Sequence, residues 1–186
     1  MTARSTAGFA QPHQNVAAFG VEPAMHIADF GAGSGAYVLA IAERLEGSGH
    51  VYAIDVQQGL LTRIKNEAHR RGYKNVDVVW ADLEQPNASR IRDRHLDLVL
   101  VSNLLFQLEE KGAVLAEAWR ILKATGRLAI IDWSESFGGM GPHKKEVVKK
   151  ERALELAKAA GFELIREFKA GAHHYGLLLR PVPLEK

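Results

Sequence analysis

Cysteine is absent from the sequence, which excludes disulfides, thiolate metal sites and thiol nucleophiles together. Long apolar runs are absent too. The most apolar stretch, Leu96 to Leu108, is interrupted by Asp97, Ser102 and Asn103, so nothing approaches the ~18 uninterrupted apolar residues of a membrane span. Charge of one sign is also lacking. The 24 Lys and Arg against 22 Asp and Glu leave a net +2, which demands no polyanionic partner. The opening MTARSTAGFAQPHQ has no basic-then-apolar layout, so no signal peptide is expected and a cytoplasmic setting is. Repeats, low-complexity tracts and Pro/Gly/Ser linkers are missing as well. Residues 1–186 therefore read as one domain, with an N-terminal helical segment (1–24) before the core (25–180).

What the sequence does contain is an alternation of short apolar runs with amphipathic stretches. Met25–Phe30 reads as a buried strand, ended by glycines at 31, 33 and 35. Gly35–Leu45 has helical apolar spacing at Val38, Leu39, Ala42 and Leu45. A strand at His50–Val56 and a helix at Leu60–Arg71 follow, then strands at Asn75–Trp80 and Leu96–Ser102. Glu110–Leu122 is expected to be helical, Gly126–Trp133 a fifth strand, and His143–Ala160 a charged helix after the glycine-rich loop Phe137–Pro142. Phe162–Ala170 and His173–Arg180 read as a closing hairpin. Strand–helix units with short connections imply an α/β fold: a mostly parallel sheet between two helical layers, with the hairpin adding antiparallel strands.

The sharpest motif is Asp29-Phe30-Gly31-Ala32-Gly33-Ser34-Gly35 at the first strand-to-helix junction. Glycines there let the backbone turn tightly and approach a ligand with no Cβ in the way, and the next helix offers unpaired N–H groups. Asp55 ends the second strand about 20 residues on, where a carboxylate can accept hydrogen bonds from both hydroxyls of a ribose. Its alternative role is to cap the next helix. Asp82 follows the third strand, where it can receive an adenine amino group or remain an ordinary loop carboxylate.

Together these residues resemble the class I S-adenosylmethionine-dependent methyltransferases, over essentially all of Met25 to Arg180. Asp29-x-Gly31-x-Gly33-x-Gly35 is similar to that family's first motif, Asp55 to its second-strand acidic residue and Ala81-Asp82 to its adenine-side motif. Asp97 to Asn103 resembles its fourth-strand motif and Gly126 to Ile131 its fifth strand. The phrasing is closest to the branch of ubiquinone/menaquinone-biosynthesis C-methyltransferases. The resemblance implies a Rossmann-like three-layer sandwich with seven strands in the order 3-2-1-4-5-7-6, strand seven antiparallel. It also implies S-adenosylmethionine as cofactor and S-adenosylhomocysteine as product. Asp29, Gly31, Ala32, Gly33, Gly35, Asp55, Val56, Asp82, Leu83 and Asn103 would then form the cofactor site, with no metal. This sequence has no long insertion between the fifth strand and the hairpin, where relatives build a substrate lid.

Two other readings compete. Gly31-x-Gly33-x-x-Ala36 also satisfies the fingerprint of a nicotinamide dinucleotide domain, with Asp55 at the expected distance. Against it stand Asp29, which suits a methionine ammonium group and would repel a pyrophosphate, and Asp82, which has no evident dinucleotide role. The other reading is a non-catalytic module that keeps the cofactor. Methyl transfer needs few side chains, because its main demand is alignment of nucleophile, methyl carbon and sulfur.

Acceptor-side signals are sparser. Asn103 can accept a hydrogen bond from a substrate or cap the next turn, and Tyr37 is placed to border the cofactor. His143, after the glycine-rich loop, is the general-base candidate, with plain surface as its alternative. His173, His174 and Tyr175 alternate faces of the hairpin, so at least one points outward. The run His143–Arg152 reads as a solvated helix face with a Glu146–Lys150 pair, and without interleaved aromatics a nucleic-acid partner is not favoured. A small-molecule acceptor is the expected partner.

Overall fold

The computed structural model describes residues 11–137, 139 and 141–183. Expectations that fall on residues 1–10 of the N-terminal segment, and on Gly138 and Met140 of the glycine-rich loop, lie outside the described residues. Along the chain come α1 (Pro12–Phe19), β1 (His26–Phe30), α2 (Ala36–Arg44), β2 (His50–Asp55), α3 (Gln58–Arg70) and β3 (Val76–Trp80). Then follow β4 (Leu96–Ser102), a 3-10 turn (Leu105–Gln107), α4 (Lys111–Ile121), β5 (Leu122–Trp133), α5 (Lys150–Ala159), β6 (Phe162–Gly171) and β7 (His174–Pro181).

The seven strands form one sheet in the order β3-β2-β1-β4-β5-β7-β6. Pairings from β3 through β5 are parallel, and β7 runs antiparallel to both β5 and β6. This is the expected order and the expected hand of the last pair.

β4 shows why the layers form. Its side chains alternate between the two faces of the sheet, as strand geometry requires. Leu98 and Leu100 pack with Val38 and Ile41 of α2, Leu45 just after it, Leu61 and Ile64 of α3 and Val16 and Phe19 of α1. Val99 and Val101 pack with Val114, Leu115, Ala118 and Ile121 of α4 and Ala153 and Ala157 of α5. A strand buried on both faces must be apolar at every position that faces a layer, which accounts for its nearly unbroken Leu and Val. α3 instead needs one apolar stripe, and Leu61, Ile64 and Ala68 provide it.

Two boundaries differ from expectation by more than two residues. β5 begins at Leu122, because Leu122 pairs with Leu96 before the register shifts between Leu96 and Leu98. α5 begins at Lys150 and not at His143. The segment before it is held by tertiary contacts: Val148 is buried, its carbonyl accepts the Tyr175 hydroxyl at 2.9 Å, and Lys149 is extended at φ −61°, ψ 152°. Glu146 accordingly makes no pair with Lys150. Its carboxylate accepts the His143 backbone N–H at 3.1 Å, while Lys150 Nζ reaches Glu167 at 2.9 Å.

Candidate functional site

From β1 the chain builds the sheet outward through β2 and β3, then returns to the other side of β1 with β4. Ligands of open α/β sheets bind beside the strands' carboxyl ends at such a reversal. Two adjoining cavities of about 310 Å³ each open there and share Gly31, Gly33 and Gln107.

The glycine turn forms the floor. The N–H groups of Gly31 and Ala32 both donate to the Ile54 carbonyl, at 2.9 and 3.0 Å, which folds the turn back onto β2. Gly33 N–H donates to Asp55 Oδ2 at 2.9 Å, and Gln57 N–H donates to Oδ1 at 2.8 Å. Two backbone amides therefore orient the Asp55 carboxylate, and each oxygen keeps a lone pair for a ligand hydroxyl. Asp55 lines the first cavity with Val56, Gln57 and Leu60.

Asp82, Leu83, Leu104 and Leu108 complete that cavity. Asp82 is exposed, and its Oδ1 accepts the Glu84 N–H at 3.0 Å. A polar carboxylate rim above the apolar walls of Val56 and Leu83 suits a flat ring with an amino edge.

The second cavity is lined by Asp29, Ala32, Tyr37, Asn103, Trp133 and His174, among others. Asp29 is only 2% exposed; burial first, and the Asp55 carboxylate second, push its carboxyl up to about 8. A cation placed against it would restore the ionised form. Asn103 sits in the left-handed region at φ 53°, and its buried Oδ1 has no hydrogen-bond partner among the described residues. Tyr37 is buried, and its hydroxyl is pushed up to about 12 chiefly by that burial. Asn15 of α1 donates to it at 2.8 Å and to the Ala170 carbonyl at 2.9 Å, which ties α1 to α2 and β6, with Pro12 of α1 lining the cavity.

Of the residues singled out in the sequence, the structure brings Asp29, Gly31, Ala32, Gly33, Asp55, Val56, Asp82, Leu83 and Asn103 to the two cavities. Gly35 stands behind them as the N-cap of α2. His143 is exposed and lines neither cavity. Sequence reasoning missed Gln57, Leu104, Gln107 and Trp133, whose residue types are unremarkable, and left His174 without a role. It also missed Asp132, wholly buried at the end of β5, whose oxygens accept the N–H groups of Leu105 at 3.0 Å and Trp133 at 2.8 Å. Burial pushes its carboxyl up to about 7. A lone Asp within the apolar run Leu128 to Trp133 was the available signal. It holds the turn that brings Leu104 and Gln107 to the cavities.

These features fit S-adenosylmethionine. Asp29 is a buried carboxylate suited to an ammonium group, Asp55 an oriented acceptor pair for a ribose, and the first cavity a slot for adenine. A pyrophosphate set there would meet no Lys or Arg among the described lining residues and a buried carboxyl that only a cation would ionise, so the geometry disfavours a dinucleotide.

Sheet order and site together define a class I S-adenosylmethionine-dependent methyltransferase domain. Residues 21–169 match the family model described as a methyltransferase domain, and the chain belongs to that family. It is 32% identical over 103 residues to the aklanonic acid methyltransferase DauC of Streptomyces sp. (strain C5), covering 55% of this chain and 46% of the relative. It is 30% identical over 122 residues to the ubiquinone/menaquinone biosynthesis C-methyltransferase UbiE of Xanthomonas campestris, covering 64% and 47%. The chain thus spans about half the length of the curated relatives it matches. A SAM-dependent methyltransferase from Aquifex aeolicus superposes with a TM-score of 0.84 at 26% identity, covering 93% of this chain and 90% of that one.

Proposed function

We propose that this chain transfers a methyl group from S-adenosylmethionine to a small-molecule acceptor. One observation carries the reading: the buried Asp29 carboxyl shares a crevice with the amide-oriented Asp55 and the rim carboxylate Asp82. In this reading Asp29 receives the methionine ammonium, Asp55 the ribose hydroxyls, and Asp82 with Val56 and Leu83 the adenine. Asn103 and the N–H groups of the glycine turn border the methionine end. The cofactor supplies an already activated methyl on a sulfonium sulfur. The protein's contribution is then to hold donor and acceptor in line and to exclude water.

The small-molecule acceptor is supported by the relatives DauC and UbiE, whose names concern aklanonic acid and ubiquinone or menaquinone biosynthesis. A cytoplasmic setting is part of the same reading. Among the described residues no helix is long and apolar enough to cross a membrane. General-base chemistry at His143 is not part of it, since that exposed side chain borders neither cavity.

Thermal denaturation tests the proposal. S-adenosylmethionine and S-adenosylhomocysteine are expected to raise the melting temperature, by about 2.7 kcal/mol of added stability at a hundredfold excess over Kd, while NAD leaves it unchanged. A shift with NAD and none with either sulfur ligand overturns it.

A further inference from the structure

We propose that His174 is the residue that receives the methyl acceptor, accepting a hydrogen bond through a ring nitrogen from an O–H group of an uncharged substrate. The inference rests on the reading above, in that the cofactor occupies the neighbouring turn.

His174 opens β7 and pairs in register with Trp133 at the end of β5. Side chains alternate along β7. Leu178 packs in the layer of α1 and α2, whereas Tyr175, Leu177 and Leu179 pack in the layer of α4 and α5. His174 shares the parity of Leu178, so it faces the α1–α2 side and lines the second cavity. Its neighbour His173 goes elsewhere: the ring stacks on Phe137 with centroids 3.8 Å apart, and Nδ1 lies 2.8 Å from Glu135.

The His174 ring lies against Trp133, with centroids 4.3 Å apart and planes at 41°. That packing fixes the ring but satisfies neither nitrogen. His174 is 6% exposed, and among the described residues Nδ1 and Nε2 are both buried without a hydrogen-bond partner. A buried imidazole with two orphaned nitrogens is costly in the free protein, and a ligand that pairs with one of them recovers part of that cost.

Charge narrows the ligand class. Burial first, then His173, lowers the His174 pKa to about 4, so the ring is neutral at physiological pH and offers one lone pair and one N–H. Among the described residues no Lys or Arg lines this cavity, so a phosphate or carboxylate acceptor would meet no counter-charge from them. The carboxyl among them, Asp29, is already assigned to the cofactor's ammonium. Asn103 Oδ1 is a second unpartnered acceptor on the same wall. The ring's lone pair and Asn103 Oδ1, with no cation among the described lining residues, favour an uncharged molecule whose O–H groups donate to them. The ring's other nitrogen offers its N–H to an acceptor of the same molecule. The indole of Trp133 gives it an apolar surface to lie on.

The test uses S-adenosylhomocysteine-loaded protein, with 1-naphthol as the probe and 1-methoxynaphthalene, which lacks the O–H, as its control. Naphthol is expected to bind and to shift the His174 ring resonances in NMR spectra of the wild type. Its affinity should fall roughly tenfold in His174→Phe, the loss of about one hydrogen bond, and be largely kept in His174→Gln. The methoxy compound should bind weakly and equally to all three, and S-adenosylhomocysteine affinity should not change. Naphthol binding that leaves the His174 resonances unmoved, or that is undiminished in His174→Phe, overturns the assignment while the cofactor reading stands. If the wild type fails to bind S-adenosylhomocysteine, the cofactor reading falls and this one with it.

Discussion

Asp29 is the residue at which binding and protonation meet. Its carboxyl stays protonated up to about pH 8 because it is buried and because Asp55 is near. An ammonium group seated against it favours the carboxylate, so binding S-adenosylmethionine at pH 7 should expel a proton. Isothermal calorimetry in two buffers of different ionisation enthalpy checks this. The apparent enthalpy should depend on the buffer in the wild type and lose that dependence in Asp29→Asn. Identical enthalpies in both buffers for the wild type would remove the ammonium assignment. The same residue sets a pH dependence of folding with a definite sign. The folded pKa lies above the unfolded value of 3.8, so the folded state holds the extra proton between them. Stability attributable to Asp29 is therefore full below about pH 4 and declines as pH rises to about 8. Asp29→Asn should raise the melting temperature of the ligand-free protein at about pH 9 and leave it unchanged near pH 4.

Among the elements, the glycine turn divides its labour between neighbouring positions. Gly33 has φ 52°, and a Cβ there would find nothing nearer than the Gly31 carbonyl oxygen at 3.7 Å, because the position borders both cavities. Gly35 has φ 80°, and its Cβ would stand 2.6 Å from Cγ1 of Ile64 on α3. Gly33→Ala should therefore fold with a cost of about 1 kcal/mol, from the left-handed backbone alone, and lose most of its cofactor affinity. Gly35→Ala should cost clearly more in stability, since strain and overpacking add there. Urea denaturation and calorimetry on the two variants separate the roles; equal losses of stability would refute the division. The turn was legible in the sequence because glycine spacing is a local property. The start of α5 was not. The helical pattern runs on from His143, but the segment up to an extended Lys149 is packed through the buried Val148, which the Tyr175 hydroxyl of β7 also contacts. A contact between segments so far apart leaves no trace in local periodicity.

For the whole molecule, the sheet is the spine that sets the two cavities against each other, and β4 is one of its buried central strands. Leu100 is fully buried between the sheet and the α1–α2–α3 layer. Leu100→Ala should destabilise by about 2–5 kcal/mol through lost transfer energy and a cavity. Denaturant melts would show a lower midpoint with an unchanged slope. A loss under about 1 kcal/mol would mean that the layer collapses around the site.

The sequence alone determined the alternation of strands and helices, the glycine turn, and the three carboxylates at the ends of the first three strands. Each of these is written in adjacent or regularly spaced residues. The resemblance built on those residues supplied the sheet order and the cofactor. Only the tertiary structure decided which polar side chains face the acceptor. His143 looked placed for chemistry because it follows a glycine-rich loop, but it lies in an exposed turn capped by Glu146. His174 carried no local mark, yet β5–β7 pairing sets it on Trp133 in the second cavity. Asp132, buried at the end of β5, orders the turn after β4 through the Leu105 amide, a residue far from it in sequence. Strand pairing is a non-local choice, made by the packing of two layers at once, and that is why these positions had to be seen in the fold.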